Sequence, residues 1–185
     1  TTIGLPRDKK KKPKAFVYRV HDMPDQERLV NLSSLARTFG FKIKPTGTPR
    51  EVNRSINKML EGVKGRGAEN FLSTLAIRSM AKAVYTTENI GHYGLGFDYY
   101  THFTSPIRRY PDMMVHRLLD RYLNGGRSVS VDKLEDECRH SSSMEQLAAN
   151  AERASIKFKQ VEFMADHLGE VYDGVISGVT EWGLY

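Results

Sequence analysis

Cysteine is nearly absent. One thiol, Cys138, stands in 185 residues, so no internal disulfide can form, and the usage suits the reducing cytoplasm. No apolar run approaches the roughly 18 residues of a membrane span. The chain also lacks the charged n-region and apolar h-region of a secretory signal. A membrane partner is therefore not expected. The six histidines show no zinc-like pairing, and one cysteine cannot build a thiolate site. No Gly-x-x-x-x-Gly-Lys loop occurs, which argues against a nucleotide cofactor. Gly91, Gly94 and Gly96 have no strand–helix unit around them in the order a phosphate loop needs. Also missing is a tight cluster of carboxylates able to converge on Mg²⁺. The nearest acidic group, Asp132, Glu135, Asp136 and Glu137, lies along one helix with Lys133 and Arg139 beside it. It reads as a solvated face.

What is present begins with a core of ordinary size: 39% of the residues are hydrophobic, enough for about one domain. The net charge of +6 is misleading. The run RDKKKKPK at 7–14 contributes most of it, and the remainder of the chain is close to neutral. That run reads as a solvated loop, with loose electrostatic contact to RNA phosphates as the alternative. The chain opens without a methionine and closes inside a strand-like pattern, so a piece of a longer protein is expected.

Periodicity predicts a short strand at 16–20 and a helix capped by Asp25, with Leu29, Leu32, Leu35, Ala36 and Phe39 at helical spacing and Gly40 as its stop. Thr48 and Pro49 open a second helix reaching Leu60, and the glycines of 61–67 end it. A third is expected over 68–84 with Phe71, Leu72, Leu75, Ile77 and Met80 inside. Residues 92–103 read as extended. A long helix is expected from Val131 to His167, with a possible break at the serines 141–143. Its second half carries a stripe of Met144, Leu147, Ala151, Ser155 and Phe158.

Residues 92–117, HYGLGFDYYTHFTSPIRRYPDMMVHR, carry the most chemistry. Thr104, Ser105, Arg108 and Arg109 meet at a loop-to-helix junction, where free N–H groups and the helix dipole favour an anion and arginine adds a two-pronged grip. Tyr93, Phe97, Tyr99, Tyr100 and Phe103 are placed to pack beneath it or to stack on bases. A capped amphipathic helix with ordinary surface arginines is the plainer alternative. Pro111 does not fit inside one continuous helix, so a short turn at 105–109 and a helix from Tyr110 to Leu123 are expected. If the turn stays helical, Ile107, Met114 and Leu118 share the buried face. Arg108 then flanks that face near Val115 and Leu119, aimed for phosphate contact, and Arg109 is left for a structural ion pair.

The same stretch resembles the signature of the ribonuclease II and ribonuclease R family of processive exoribonucleases, and is closer to ribonuclease R. FVYRVHDMP (16–24) and NFLSTLAIRSMAKAVYTTENIGHYGL (70–95) continue the likeness, and GEVYDGVISGVTEWGLY (169–185) is similar to the opening of an S1 domain. The resemblance implies an α+β, predominantly helical fold. Residues 1–167, including a basic loop at 1–14, would form the C-terminal part of the RNB catalytic domain. Residues 168–185 would supply the first strands of an S1 OB-fold. It implies a parent that hydrolyses single-stranded RNA from the 3′ end to nucleoside 5′-monophosphates; a cytoplasmic monomer is expected, with the oligomeric state left open by the sequence.

The family's Mg²⁺-binding aspartates lie in a segment upstream of Thr1, so the resemblance places no metal ligand in this chain, and the chain alone is expected to be inactive. Arg108 matches the arginine that contacts the scissile phosphate. Thr104, Ser105, Arg109 and Tyr93 are further candidates for RNA contact. Glu152 matches a glutamate near the RNA path in some members, against the plainer reading of a solvated helix pair with Arg153. In the S1 segment Trp182 and Tyr185 are candidates to stack on bases, with a core role equally open for Trp182. The competing reading is a non-enzymatic RNA-binding protein that keeps the fold without the metal site. An interaction module unrelated to RNA fits the 92–117 match poorly.

Overall fold

Two cores organise the first part of the chain, and each follows from where apolar side chains recur. The computed structural model describes residues 13–174, 176 and 179–184. It divides into two units, Thr1–Ser143 and Met144–Tyr185.

The first core belongs to three helices. In α1 (Gln26–Thr38) the Asp25 carboxylate accepts the Arg28 N–H at 3.1 Å, a side-chain N-cap. Leu29, Leu32 and Ala36 are buried along one stripe. Gly40, at φ 83°, ends the helix as expected. Its N–H reaches Arg37 O while the Phe41 N–H reaches Ala36 O, the paired bonds of a Schellman stop. Helix α2 (Pro49–Val63) starts in a capping box between Thr48 and Glu51 and buries Val52, Ile56, Met59 and Val63. It runs past the expected end at Leu60. Gly62 does not break it because the position faces the Phe41 ring, where a Cβ would sit 2.8 Å from Cε1; glycine there permits close approach.

Helix α3 (Glu69–Ser79) is shorter than its apolar content predicts. Leu72, Ala76 and Ser79 are buried at i, i+4 and i+7, whereas Phe71 and Ile77 fall off that stripe and are exposed. Phe71 instead pairs at the surface with the half-exposed Phe39, rings 5.8 Å apart. Leu35 is exposed too. Val84–Thr86, expected at the end of α3, is strand β2. It pairs antiparallel with β1 (Tyr18–Val20), Arg19 opposite Tyr85. The β-branched and aromatic residues of 84–86 found a strand partner that one-dimensional periodicity does not reveal.

The second core gathers Ala15, Val17 and Tyr85 from around this ribbon with Met114, Val115, Leu118 and Tyr122 of α4 (Tyr110–Leu123), and Leu134 and Cys138 of α5 (Val131–Ala165). Cys138 is fully buried. Burial, with the Glu135 and Glu137 charges adding, pushes its thiol up to about 12, which makes it a packing residue. Lys14 is anchored rather than solvated. Its amine donates to Gly126 O at 2.9 Å and lies 4.7 Å from the centre of the Tyr122 ring. The Tyr122 hydroxyl donates to Ala15 O at 2.7 Å. Lys9 to Lys12 lie outside the described residues.

Helix α5 is unbroken through the serines. The hydroxyls of Ser141 and Ser142 donate to Glu137 O and Cys138 O one turn back, so the run satisfies itself within the helix. In the second unit, Met144, Leu147, Ile156, Phe158, Val161 and Phe163 are exposed on this helix, so the stripe beginning at Met144 is not a core in this chain. A hairpin of β3 (Val179–Thr180) and β4 (Gly183–Leu184) follows. No helix among the described residues is long and apolar enough to cross a membrane.

Candidate nucleic-acid interface

The backbone turns twice before α4 begins. Ser105 O accepts the N–H groups of Arg108 and Arg109, at 3.3 and 3.0 Å, closing the turn over 105–109. Arg109 is then extended, φ −127° and ψ 111°, and α4 starts at Tyr110 with Pro111 in its first turn, where a proline costs no intrahelical bond. This extended residue also overturns one expectation. The turn is not in register with the helix, so Ile107 is fully exposed while Met114 and Leu118 are buried. Arg108 is likewise exposed, held out on the turn rather than packed along a helix flank near Val115 and Leu119. Among the described residues its guanidinium has no ion pair.

Arg109 does the opposite. Its Nη2 donates to Asp112 Oδ2 at 2.9 Å, and Asp112 has no exposed surface. The same oxygen accepts the Ser105 N–H at 2.7 Å. Burial works to raise the Asp112 carboxyl, but the Ser105 amide, the Arg109 guanidinium and the nearby His102 outweigh it and hold it below its ordinary value. The pair neutralises itself, leaving Arg108 as the unbalanced charge on the turn. Sequence reasoning did not single out Asp112, although an acid in the first turn of a helix was there to be read.

The loop leading into the turn is fastened by histidines. His116 of α4 shares a hydrogen bond with Phe103 O (2.8 Å) and stacks on the Phe103 ring at 4.3 Å. His102 Nδ1 lies 2.6 Å from the Tyr85 hydroxyl. Further upstream, 92–103 is not simply extended. Tyr93–Leu95 forms a single 3-10 turn, and His92 Nδ1 accepts the Leu95 N–H at 3.3 Å. Burial, then the neighbouring His21, holds His92 below the ordinary imidazole range. Gly94 brings its N–H within 2.9 Å of His21 Nδ1, and a Cβ there would meet the same ring. Of the three glycines, Gly94 lies against the His21 ring, Gly91 O accepts the His21 N–H at 3.1 Å, and Gly96 closes the turn at φ 69°.

Tyr93 is half-buried and its hydroxyl has no hydrogen-bond partner among the described residues. It lines a cleft of ≈ 350 Å³ with His21, Arg50, Asn53 and Phe97. Phe97, Tyr99, Phe103 and Tyr110, upstream and downstream of the turn in the chain, are all substantially exposed. Thr104 is exposed, and the Ser105 hydroxyl has no partner among the described residues. In the second unit Glu152 and Arg153 are solvated, and Trp182 is 89% exposed, which speaks against a core role within these residues. Tyr185 lies outside the described residues.

The acidic group on α5 is not uniformly solvated. Glu135 accepts from the Thr86 and Thr87 hydroxyls and from the Thr87 N–H, at 2.6–3.1 Å. It is a structural tie from α5 to the end of β2. Among the described residues no group of three or more histidine, cysteine, aspartate or glutamate side chains could hold a metal ion.

Residues 7–125 match the RNB domain. The chain belongs to the RNB family. It is 41% identical over 176 residues to ribonuclease R 1 of Lactococcus lactis, covering 92% of this chain and 21% of that relative. Among solved structures it is similar to RNase R of Mycoplasma genitalium in complex with ribose-methylated single-stranded RNA. That match has TM-score 0.78 and 27% identity, and covers 92% of this chain and 28% of the other. The fold also resembles yeast Ssd1, described as a pseudonuclease, with TM-score 0.58 at 24% identity over 70% of this chain and 17% of that one. The chain therefore spans 21% and 28% of the length of these two ribonuclease R relatives, and the RNB match takes in the fastened turn with Arg108.

Proposed function

We propose that this chain is the C-terminal part of the catalytic domain of a ribonuclease R-like 3′-to-5′ exoribonuclease, followed by the first strands of an S1 domain at 168–185. The intact protein hydrolyses single-stranded RNA to nucleoside 5′-monophosphates with Mg²⁺. The observation that carries the reading is the turn over 105–109 in an RNB domain: closed on Ser105, tied to α4 through Asp112, and leaving the Arg108 guanidinium exposed and without an ion pair among the described residues. A guanidinium fixed on a fastened backbone can meet two phosphate oxygens in one orientation, the requirement for stabilising charge that builds up on phosphorus oxygens. Thr104 and the Ser105 hydroxyl lie beside it as further donors, and the exposed Phe97, Tyr99 and Phe103 suit stacking on unpaired bases. Tyr93 and Glu152 are weaker candidates, since the first is half-buried and the second is exposed on a helix face.

The side chains described here do not fit a Mg²⁺ site. In this reading the metal is held by carboxylates outside the chain, and the isolated chain is inactive. Cytoplasmic location and a monomeric parent belong to the same proposal. A non-catalytic RNA binder on the same fold is the competing reading, and the fold shared with a pseudonuclease makes it a real one.

End-labelled RNA separates the two. With Mg²⁺, the intact protein should release mononucleotide at once from RNA labelled at its 3′ end and shorten 5′-labelled RNA progressively. Tight binding with no release from either substrate would favour the binder.

A further inference from the structure

We infer that Asp112 is the positioning residue for Arg108: its buried carboxylate sets the shape of the turn on which the phosphate-gripping guanidinium stands. The inference rests on the proposed role of Arg108 and adds to it. Three observations converge. Asp112 is wholly buried although it carries a charge, and a buried carboxylate survives only where its partners compensate for lost water. Its partners lie at both ends of the turn: the Ser105 N–H at 2.7 Å and the Arg109 guanidinium at 2.9 Å, both on Oδ2. The two residues between those anchors that are most exposed are Ile107 and Arg108. The turn is thus a loop closed by one carboxylate, with Arg108 presented on its outer side.

The bonding is also incomplete in a suggestive way. Asp112 Oδ1 and Arg109 Nε are both buried and both without a hydrogen-bond partner among the described residues. One is an acceptor and the other a donor, on groups already joined through Oδ2 and Nη2. A small rotation of either group would convert the single bond into a two-pronged one, a firmer hold on the end of the turn beside Arg108.

Displacing a positioned group by about 1 Å can cost on the order of 10²-fold in rate. In the intact protein, Asp112→Asn should lower the single-turnover cleavage rate by about that factor while changing RNA affinity less than about threefold. The decisive measurement is a double-mutant cycle with Arg108→Ala. If Asp112 acts through Arg108, Asp112→Asn should cost little further rate once Arg108 is gone. Equal losses in both backgrounds would overturn the proposal, since Asp112 would then act independently of Arg108. A near-normal rate for Arg108→Ala alone would instead refute the reading of Arg108, a separate result. Because a partly buried Arg109 left without its partner can destabilise the fold, the cycle is repeated with Arg109→Gln and Asp112→Asn together, which removes both charges. That pair should show the same dependence on Arg108, and an additive loss would again count against the proposal.

Discussion

At the scale of single residues, the two neighbouring arginines have different fates, and the reason is local. Arg109 is neutralised by Asp112, whereas Arg108 keeps its charge at the surface. The helical reading of the sequence separated the two arginines for a reason that does not hold, because extended Arg109 puts the turn out of register with α4. Ile107 pointed to the same error: apolar in sequence, it is fully exposed. Asp112 was legible only as an acid near a helix start, since a contact back to Ser105 depends on how the loop returns. Cys138 was legible in part. Its singleness excluded a disulfide, but its inertness comes from burial and two neighbouring carboxylates that push the thiol to about 12. The native protein at pH 8 should therefore react with an aromatic disulfide reagent far more slowly than the denaturant-unfolded protein, where the thiol is near its ordinary pKa of about 8.5. Labelling of the folded protein at the unfolded rate would show that the site opens.

At the scale of elements, helices with strong caps were the most readable. The Thr48–Glu51 box and the Asp25 cap are local in sequence, so they are visible without a structure. The β1–β2 ribbon was not, because it joins residues more than 60 positions apart, and helical periodicity captured Val84 in its absence. A separation of 48–49 positions likewise hid the role of Glu135, whose carboxylate ties α5 to Thr86 and Thr87 and reads in sequence as one more charge on a solvated face. Hydrogen bonds to a charged group contribute about 1.5–3 kcal/mol, so Glu135→Gln should destabilise the protein by an amount near the lower end of that range. Burial acts to raise the Glu135 carboxyl, but the bonds from Thr87 and Thr86 lower it overall. A carboxyl lowered by folding stabilises the native state above its unfolded pKa, about 4.3, and that contribution is lost as pH falls through the lower folded value. The gap in Tm between wild type and Glu135→Gln should be full at pH 7 and close below about pH 4. A gap that is independent of pH would assign the effect to shape rather than charge.

At the scale of the whole molecule, the chain holds only part of what the proposed enzyme would need. It supplies a fastened arginine turn and exposed rings, but no cluster of metal-binding side chains among the described residues. In the proposed enzyme, what Arg108 contributes is orientation of the phosphate, and charge alone should not replace it. Lysine keeps the charge without the planar fork, which makes Arg108→Lys in the intact protein the most direct test. Losing one preorganised donor of this kind typically costs about 10²–10³ in rate. Single-turnover cleavage of single-stranded RNA, measured beside equilibrium RNA binding, should show a loss of that order with most of the affinity retained. Cleavage by Arg108→Lys near the wild-type rate would contradict the account.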